Sequence, residues 1–239
     1  DVLYAGHSKY HMMGVLKRLA RKLGGANLVF LRDPQRLALL LRPDGTPGGI
    51  DFYESVVRQT MAQLGASHNV AIGASVGGAV AHGLAYRCGM QQVISFSALF
   101  KADHYVRPSN ILRSLFNLRG FLKDPRGYLE ILMVTLSTSW IHRNITKRAA
   151  YDGVEDPITT FRKIERPPAV TLFYGQYAPP DAAQAMLMNG LPNVKLVPLP
   201  TSGHNTPGYL YKQRALGKAI GDEIAAALRL PEEKVATTA

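Results

Sequence analysis

One stretch constrains this chain more than any other: Val70-Ala71-Ile72-Gly73-Ala74-Ser75-Val76-Gly77-Gly78-Ala79-Val80. An apolar run from Asn69 to Ile72 has the composition of a buried strand. Gly-x-Ser-x-Gly follows, and Val76 to about Cys88 then reads as a helix of small residues. Strand, sharp turn and helix, with serine at the turn, is the pattern that lifts a nucleophilic oxygen above a sheet. Such a turn holds its serine at positive φ, a strained backbone conformation. It also crowds the positions two residues to either side, so Gly73 and Gly77 carry no Cβ. The N–H of Val76 opens the helix, where developing negative charge is favoured. The motif alone is weak, because glycine-rich strand-to-helix turns also bind phosphate. A dinucleotide site would need Gly-x-Gly-x-x-Gly after the strand, and a P-loop would need Gly-Lys-Ser/Thr; neither is present.

The rest of the chain alternates in the same way. Predicted strands cover Val2–Ala5, Asn27–Leu31, 69–73, Gln92–Phe96, Ala169–Tyr174 and Val194–Leu199. Predicted helices cover 10–23, 50–64, 76–88 and 208–229, the last with Thr206 as cap and Pro207 in its first turn. Alternation of this kind gives an α/β fold, a mostly parallel sheet with helices on both faces. Reactive groups then gather at the carboxyl ends of the strands. With 239 residues, the chain 1–239 is expected to form a single domain. Residues 100–165 break the alternation and read as a helical lid inserted between strands, with helix from about 109 to 148. Because Asp1 opens inside a predicted strand, the chain is expected to be part of a longer one.

A serine at such a turn needs a base. Ser202-Gly203-His204-Asn205 follows the last predicted strand, which puts His204 on the same sheet edge as Ser75. The base in turn needs a carboxylate to fix its tautomer and stabilise the imidazolium. Asp181 follows the strand ending at Tyr174 through an extended loop containing Pro179-Pro180, and is the first candidate. Its competing role is to cap a helix over 182–188. Asp103, beyond the strand Gln92–Phe96, is the second candidate. Asp33 reads as part of an Asp-Pro turn. His82 falls inside the helix after Ser75 and reads as packed, as does the lone Cys88, which excludes an internal disulfide. No His-x-x-x-His pair has a carboxylate near it, so no metal site is predicted.

The formal net charge is +11, with the cations scattered and no basic tail. That surface suits an anionic substrate or polymer, while the absence of aromatic-interleaved basic motifs argues against nucleic acid. No apolar run is long enough for a transmembrane segment, and a cytoplasmic location is expected.

The order Ser75, Asp181, His204, with Gly73-Ala74-Ser75-Val76-Gly77, Tyr174-Gly175 and Gly203-His204 around them, resembles the α/β-hydrolase superfamily over the whole chain. A weaker resemblance, through Phe30-Leu31-Arg32-Asp33-Pro34 and Ile94-Ser95-Phe96-Ser97, is to hydrolase-like domains of bacterial surface-polysaccharide proteins. The superfamily resemblance implies that the Gly6-His7 loop joins Val76 N–H around an oxyanion, although Gly6-His7 lacks the His-Gly-Gly form. It implies a serine esterase or acyl hydrolase acting through an acyl-enzyme, with no cofactor. The expected substrate is a small-molecule or glycan-linked acyl ester. An acyltransferase would share the same residues. A catalytically idle domain that binds glycan or protein is the alternative from a different class.

Overall fold

In the computed structural model the described residues are 11–24, 26–34, 39–101, 108–145 and 157–229, with side chains left undescribed at 11, 137–145 and 229. The predicted strand Val2–Ala5, the Gly6-His7 loop and Asp103 lie outside them.

Four parallel strands form the sheet in the order β1 (Val70–Ala74), β2 (Gln92–Phe96), β3 (Ala169–Gly175), β4 (Val194–Leu199). Parallel neighbours require crossovers, and here the crossovers are helical. Before β1 come α1 (His11–Lys22) and α2 (Gly49–Leu64), and α3 (Val76–Cys88) links β1 to β2. Between β2 and β3 lie α4 (Pro108–Leu115), α5 (Leu118–Lys123), α6 (Pro125–Ile145) and α7 (Pro157–Lys163). α8 (Pro179–Met186) links β3 to β4, and α9 (Thr206–Lys212) and α10 (Leu216–Arg229) close the described chain.

Because side chains alternate along a strand, each sheet face has its own core. Val93, Val170 and Leu172 point to one face, where Ala85 of α3, Phe161 of α7 and Ala185 of α8 cover them. Ile94, Phe96 and Phe173 point to the other, against Val15 of α1, Leu210 of α9 and Leu216 and Ile220 of α10. Phe96 and Phe173 stack with centroids 5.0 Å apart. Each fully buried side chain of this size contributes roughly 1.5–3 kcal/mol. α10 is also tied by polar contacts: Glu223 Oε2 accepts from Thr171 Oγ1 at 2.8 Å, and its Oε1 pairs with Lys195 Nζ at 2.6 Å.

Three expectations need correction. Residues 26–33 form no strand, and Leu28, Val29, Phe30 and Leu31 are exposed. A strand exists by pairing, and no described strand pairs with this segment. The terminal helix is two helices, broken where Arg214 takes φ 56. Its cap is Asn205, whose side chain accepts from Gly208 N–H, so Thr206 is already inside the helix. Thr206 instead hydrogen bonds Ser97 through its hydroxyl, across to the end of β2.

Among the described residues, the chain between β2 and β3 is helical and contains no strand. No helix among the described residues is long and apolar enough to cross a membrane.

Candidate functional site

The strand register sets Ala74 beside Phe96, Phe96 beside Phe173 and Phe173 beside Val197. The chain therefore leaves all four strands at one edge of the sheet. Ser75 follows β1 directly, Asp181 lies six residues beyond the end of β3, and His204 five beyond the end of β4.

Ser75 has φ 55 and ψ −129. That conformation costs a non-glycine residue on the order of 1–3 kcal/mol and persists only where its surroundings over-determine it. Here they do. Its N–H donates to Phe96 O at 2.9 Å, and its carbonyl accepts from the N–H groups of Gly78 and Leu99 at 2.9 and 3.0 Å. The close packing accounts for the glycines. A Cβ on Gly73 would stand 2.1 Å from Gly77 O, and one on Gly78 would stand 2.9 Å from Ala98 Cβ. Val76 is the first residue of α3, so its N–H has no acceptor within the helix.

His204 Nε2 lies 2.7 Å from Ser75 Oγ, and Nδ1 lies 2.9 Å from Asp181 Oδ1. With the carboxylate ionised, Nδ1–H donates to it, which leaves Nε2 as the acceptor for the serine O–H. Asp181 is buried in the first turn of α8, but the cap position belongs to Ala178 and no side chain caps this helix. The carboxylate faces the histidine instead. A continuous chain from serine hydroxyl through imidazole to carboxylate can move a proton from Ser75 Oγ to His204 while Asp181 stabilises the resulting cation.

The histidine loop is held from outside the sheet. Asp124, in the turn between α5 and α6, accepts from Thr201 Oγ1 at 2.6 Å and from Ser202 N–H at 3.2 Å. Ser202 Oγ donates to Gly120 O at 2.8 Å, and Glu130 Oε1 of α6 accepts from Asn205 N–H at 2.6 Å. Asn117, which caps α5, donates from its side chain to Tyr177 O in the loop that carries Asp181. A Cβ on Gly127 would stand 2.4 Å from Gly203 N, so α6 and the loop meet backbone to backbone. Sequence reading did not single out Asp124 or Glu130. They are the only two acids between Pro108 and Leu136, which is a usable signal, but their partners lie 75 to 78 residues away.

These contacts set the proton affinities. Burial lowers that of His204, yet the charge and hydrogen bond of Asp181 and the charge of Glu130 outweigh it, and the imidazole sits above its ordinary value. Burial raises the Glu130 carboxyl above its ordinary value, against the opposing pull of the Asn205 N–H and His204. Burial acts the same way on Asp124, but hydrogen bonds from Thr201, Gly127 and Ser202 outweigh it and hold that carboxyl low.

The remaining candidates lie elsewhere. His82 is fully buried, with Nε2 2.9 Å from Ser95 Oγ and Nδ1 bonded to Tyr86 Oη; burial pushes its pKa down to about 3. It is a neutral core residue. Cys88 is a buried free thiol, and Asp33 accepts from Leu39 N–H at 3.0 Å. Among the described residues, no group of three or more His, Cys, Asp or Glu side chains could hold a metal ion.

No protein-family model matches the chain, and no curated protein sequence matches it. Solved structures do. VinJ aligns with a TM-score of 0.50 at 14% identity, over 91% of this chain and 86% of its own. The esterase EaEST from Exiguobacterium antarcticum aligns at 0.45 and 14% identity, over 74% of each chain. A thermophilic esterase from Thermogutta terrifontis aligns at 0.41 and 16% identity, over 74% of this chain and 72% of its own. With the parallel sheet and the strand–Ser75–helix turn, the likeness to VinJ shows an α/β-hydrolase-like fold.

Proposed function

We propose that this protein is a serine hydrolase that cleaves ester-type bonds, with Ser75 as nucleophile, His204 as base and acid, and Asp181 as the carboxylate that orients and stabilises the histidine. The observation that carries this reading is the unbroken chain of short contacts, 2.7 Å from Ser75 Oγ to His204 Nε2 and 2.9 Å from His204 Nδ1 to Asp181 Oδ1. It begins at a serine held at positive φ.

In this reading Ser75 Oγ attacks the acyl carbonyl as its proton passes to His204 Nε2. The tetrahedral oxyanion is held by Val76 N–H, at the start of α3. By the family resemblance the second donor comes from the Gly6-His7 loop. His204 then gives its proton to the leaving oxygen, and the acyl group stays on Ser75. Water, deprotonated by the same histidine, attacks the acyl-enzyme and frees the serine. Replacing water with another hydroxyl or thiol would turn the second step into acyl transfer.

The test is covalent labelling with a fluorophosphonate probe, alongside a panel of p-nitrophenyl esters of increasing acyl length. The expected result is a single adduct on Ser75 and turnover of at least one ester. A protein that neither labels nor turns over any ester would instead be a binding domain on this fold.

A further inference from the structure

The helices between β2 and β3 carry apolar side chains on their outward side, besides the buried pair Ile131 and Val134 of α6. In and just beyond α4, Leu112, Leu115 and Phe116 follow one another at i, i+3 and i+4, and in α5 Leu118, Phe121 and Leu122 do the same. Spacing of that kind puts each set on one helix face. In a helix packed on a core that face is buried. Here all six residues are exposed, with Phe116, Leu118 and Leu122 at 79%, 68% and 70%. Leu129, Met133 and Leu136 make a third exposed stripe along α6. The side turned to the body includes small and polar residues: Asn110, Ser114, Gly120, Gly127 and Thr135 are buried. The first two stripes meet around an open hollow of about 510 Å³ whose lining also includes Tyr128.

Charge is sorted the same way. Between Pro108 and Leu136 the chain has four cations, Arg113, Arg119, Lys123 and Arg126, all exposed. None of them is in an ion pair among the described residues. The two carboxylates of the same stretch, Asp124 and Glu130, are both spent inward on the histidine loop. The outer face therefore mixes long apolar side chains with cations and shows no anion.

We propose that the outer face of α4, α5 and the first turns of α6 docks on an anionic lipid bilayer, with Phe116, Leu118 and Leu122 entering the acyl–headgroup boundary and the cations at the level of the phosphates. Interleaved cations and aliphatic side chains are what an anionic interface binds. A second copy of the chain fits poorly, because it would set these cations against themselves. Docking would leave the helices as they are, since the face used carries none of the contacts to the histidine loop. The proposal stands independently of the hydrolase reading, because binding is measured without turnover.

The experiment is flotation of the purified protein with vesicles of phosphatidylglycerol and phosphatidylcholine in equal parts, beside vesicles of phosphatidylcholine alone. Wild type is expected to float with the anionic vesicles, to do so less in high salt, and to stay behind with the neutral ones. Phe116→Glu/Leu118→Glu/Leu122→Glu should lower the bound fraction about tenfold or more, and Arg113→Gln/Lys123→Gln/Arg126→Gln by about tenfold. Arg119 is left intact because it lies over the Tyr177 ring at 5.2 Å. Circular dichroism and thermal melts check that both variants fold. Absence of flotation by wild type overturns the proposal, as does equal flotation of wild type and either folded variant. Light scattering supplies the remaining outcome: a wild-type dimer that the three-glutamate variant dissolves would reassign the face to self-association.

Discussion

At Ser75 the hydroxyl is aimed by the chain's own backbone. The residue is forced to φ 55, its carbonyl is tied to α3 and to Leu99, and Gly73 leaves no room for a Cβ. At His204 the backbone does much less. The imidazole is aimed by neighbours contributed from α5, α6 and the turn between them: the Gly120 carbonyl and the side chains of Asp124 and Glu130 hold the loop before and after it. One half of the site is fixed by steric exclusion within the turn and by backbone hydrogen bonds to the end of β2. The other is fixed by polar contacts that span more than seventy residues. Strain resists small perturbations steeply, whereas a hydrogen-bonded loop yields in steps as each bond is removed. The two halves should therefore fail differently.

The largest effect is expected at the oxygen itself. Ser75→Ala should reduce turnover by on the order of ten-thousandfold or more while the melting curve stays near that of wild type, since only a hydroxyl is lost. Retention of most activity at saturating ester would show that the strained turn does not supply the nucleophile.

Next comes Asp181→Asn. It keeps the shape but removes the charge beside the imidazolium, and an amide in that place can select the wrong tautomer. A loss on the order of a thousandfold in kcat is expected, read from initial rates. Asp124→Asn belongs to the supporting side of the comparison. It weakens contacts to Thr201 and Ser202 without touching the ring, so a loss of no more than about a hundredfold is expected. A ranking with Asp124→Asn below Asp181→Asn in activity would mean that loop support outweighs the charge at the histidine.

The two halves also differed in how readable they were. The turn at Ser75 was legible because its constraint is local: strand, glycine, serine, glycine and helix occupy adjacent positions, and each residue type answers a steric need of its neighbours. Placing Asp181 and His204 after strands followed from the parallel alternation, because strand ends in such a sheet share an edge. Asp124 and Glu130 were not legible, since nothing near them in sequence marks a partner in the histidine loop. The predicted strand Asn27–Leu31 misled for the related reason that β-composition, as in Leu28-Val29-Phe30-Leu31, describes what a strand could contain and not whether a partner is there to pair with it. The same limit applies to the terminal helix, where a continuous periodic pattern hid the break at Arg214.

A matched pair of methyl insertions compares the halves directly. Gly73→Ala places a Cβ 2.1 Å from Gly77 O, and Gly127→Ala places one 2.4 Å from Gly203 N. Either should destabilise the fold by roughly 1–3 kcal/mol, measured in urea. Should Gly127→Ala be neutral in both stability and turnover, α6 would be a cover over the histidine loop and not its support.

The smallest effect, and the sharpest, concerns Glu130. Glu130→Gln keeps the size of the side chain and an oxygen to accept the Asn205 N–H, so it removes a charge and little else. That charge faces His204 and Asp181, with Lys212 also acting on it. In wild type His204 sits above its ordinary value of 6.5, partly because of Glu130. The histidine must be neutral to take the serine proton, so the acid limb of kcat/KM should lie above pH 6.5 in wild type. Without the Glu130 charge the imidazolium loses a stabiliser, and the limb should move to lower pH. On the plateau above the limb, kcat should fall by only about two- to tenfold, since Asp181 still supports the cation. Stability gives the second readout. Burial raises the Glu130 carboxyl above 4.5, so the stability it contributes is full below that value and is lost as pH rises through its folded value. The imidazolium of His204, also raised, contributes stability below 6.5 that is lost as pH rises through its own folded value. Above both, wild type has a half-buried carboxylate facing a neutral ring, and Glu130→Gln should melt at an equal or higher temperature. An acid limb that stays in place, with kcat falling all the same, would reduce Glu130 to a backbone clamp on Asn205 whose charge does not reach the histidine.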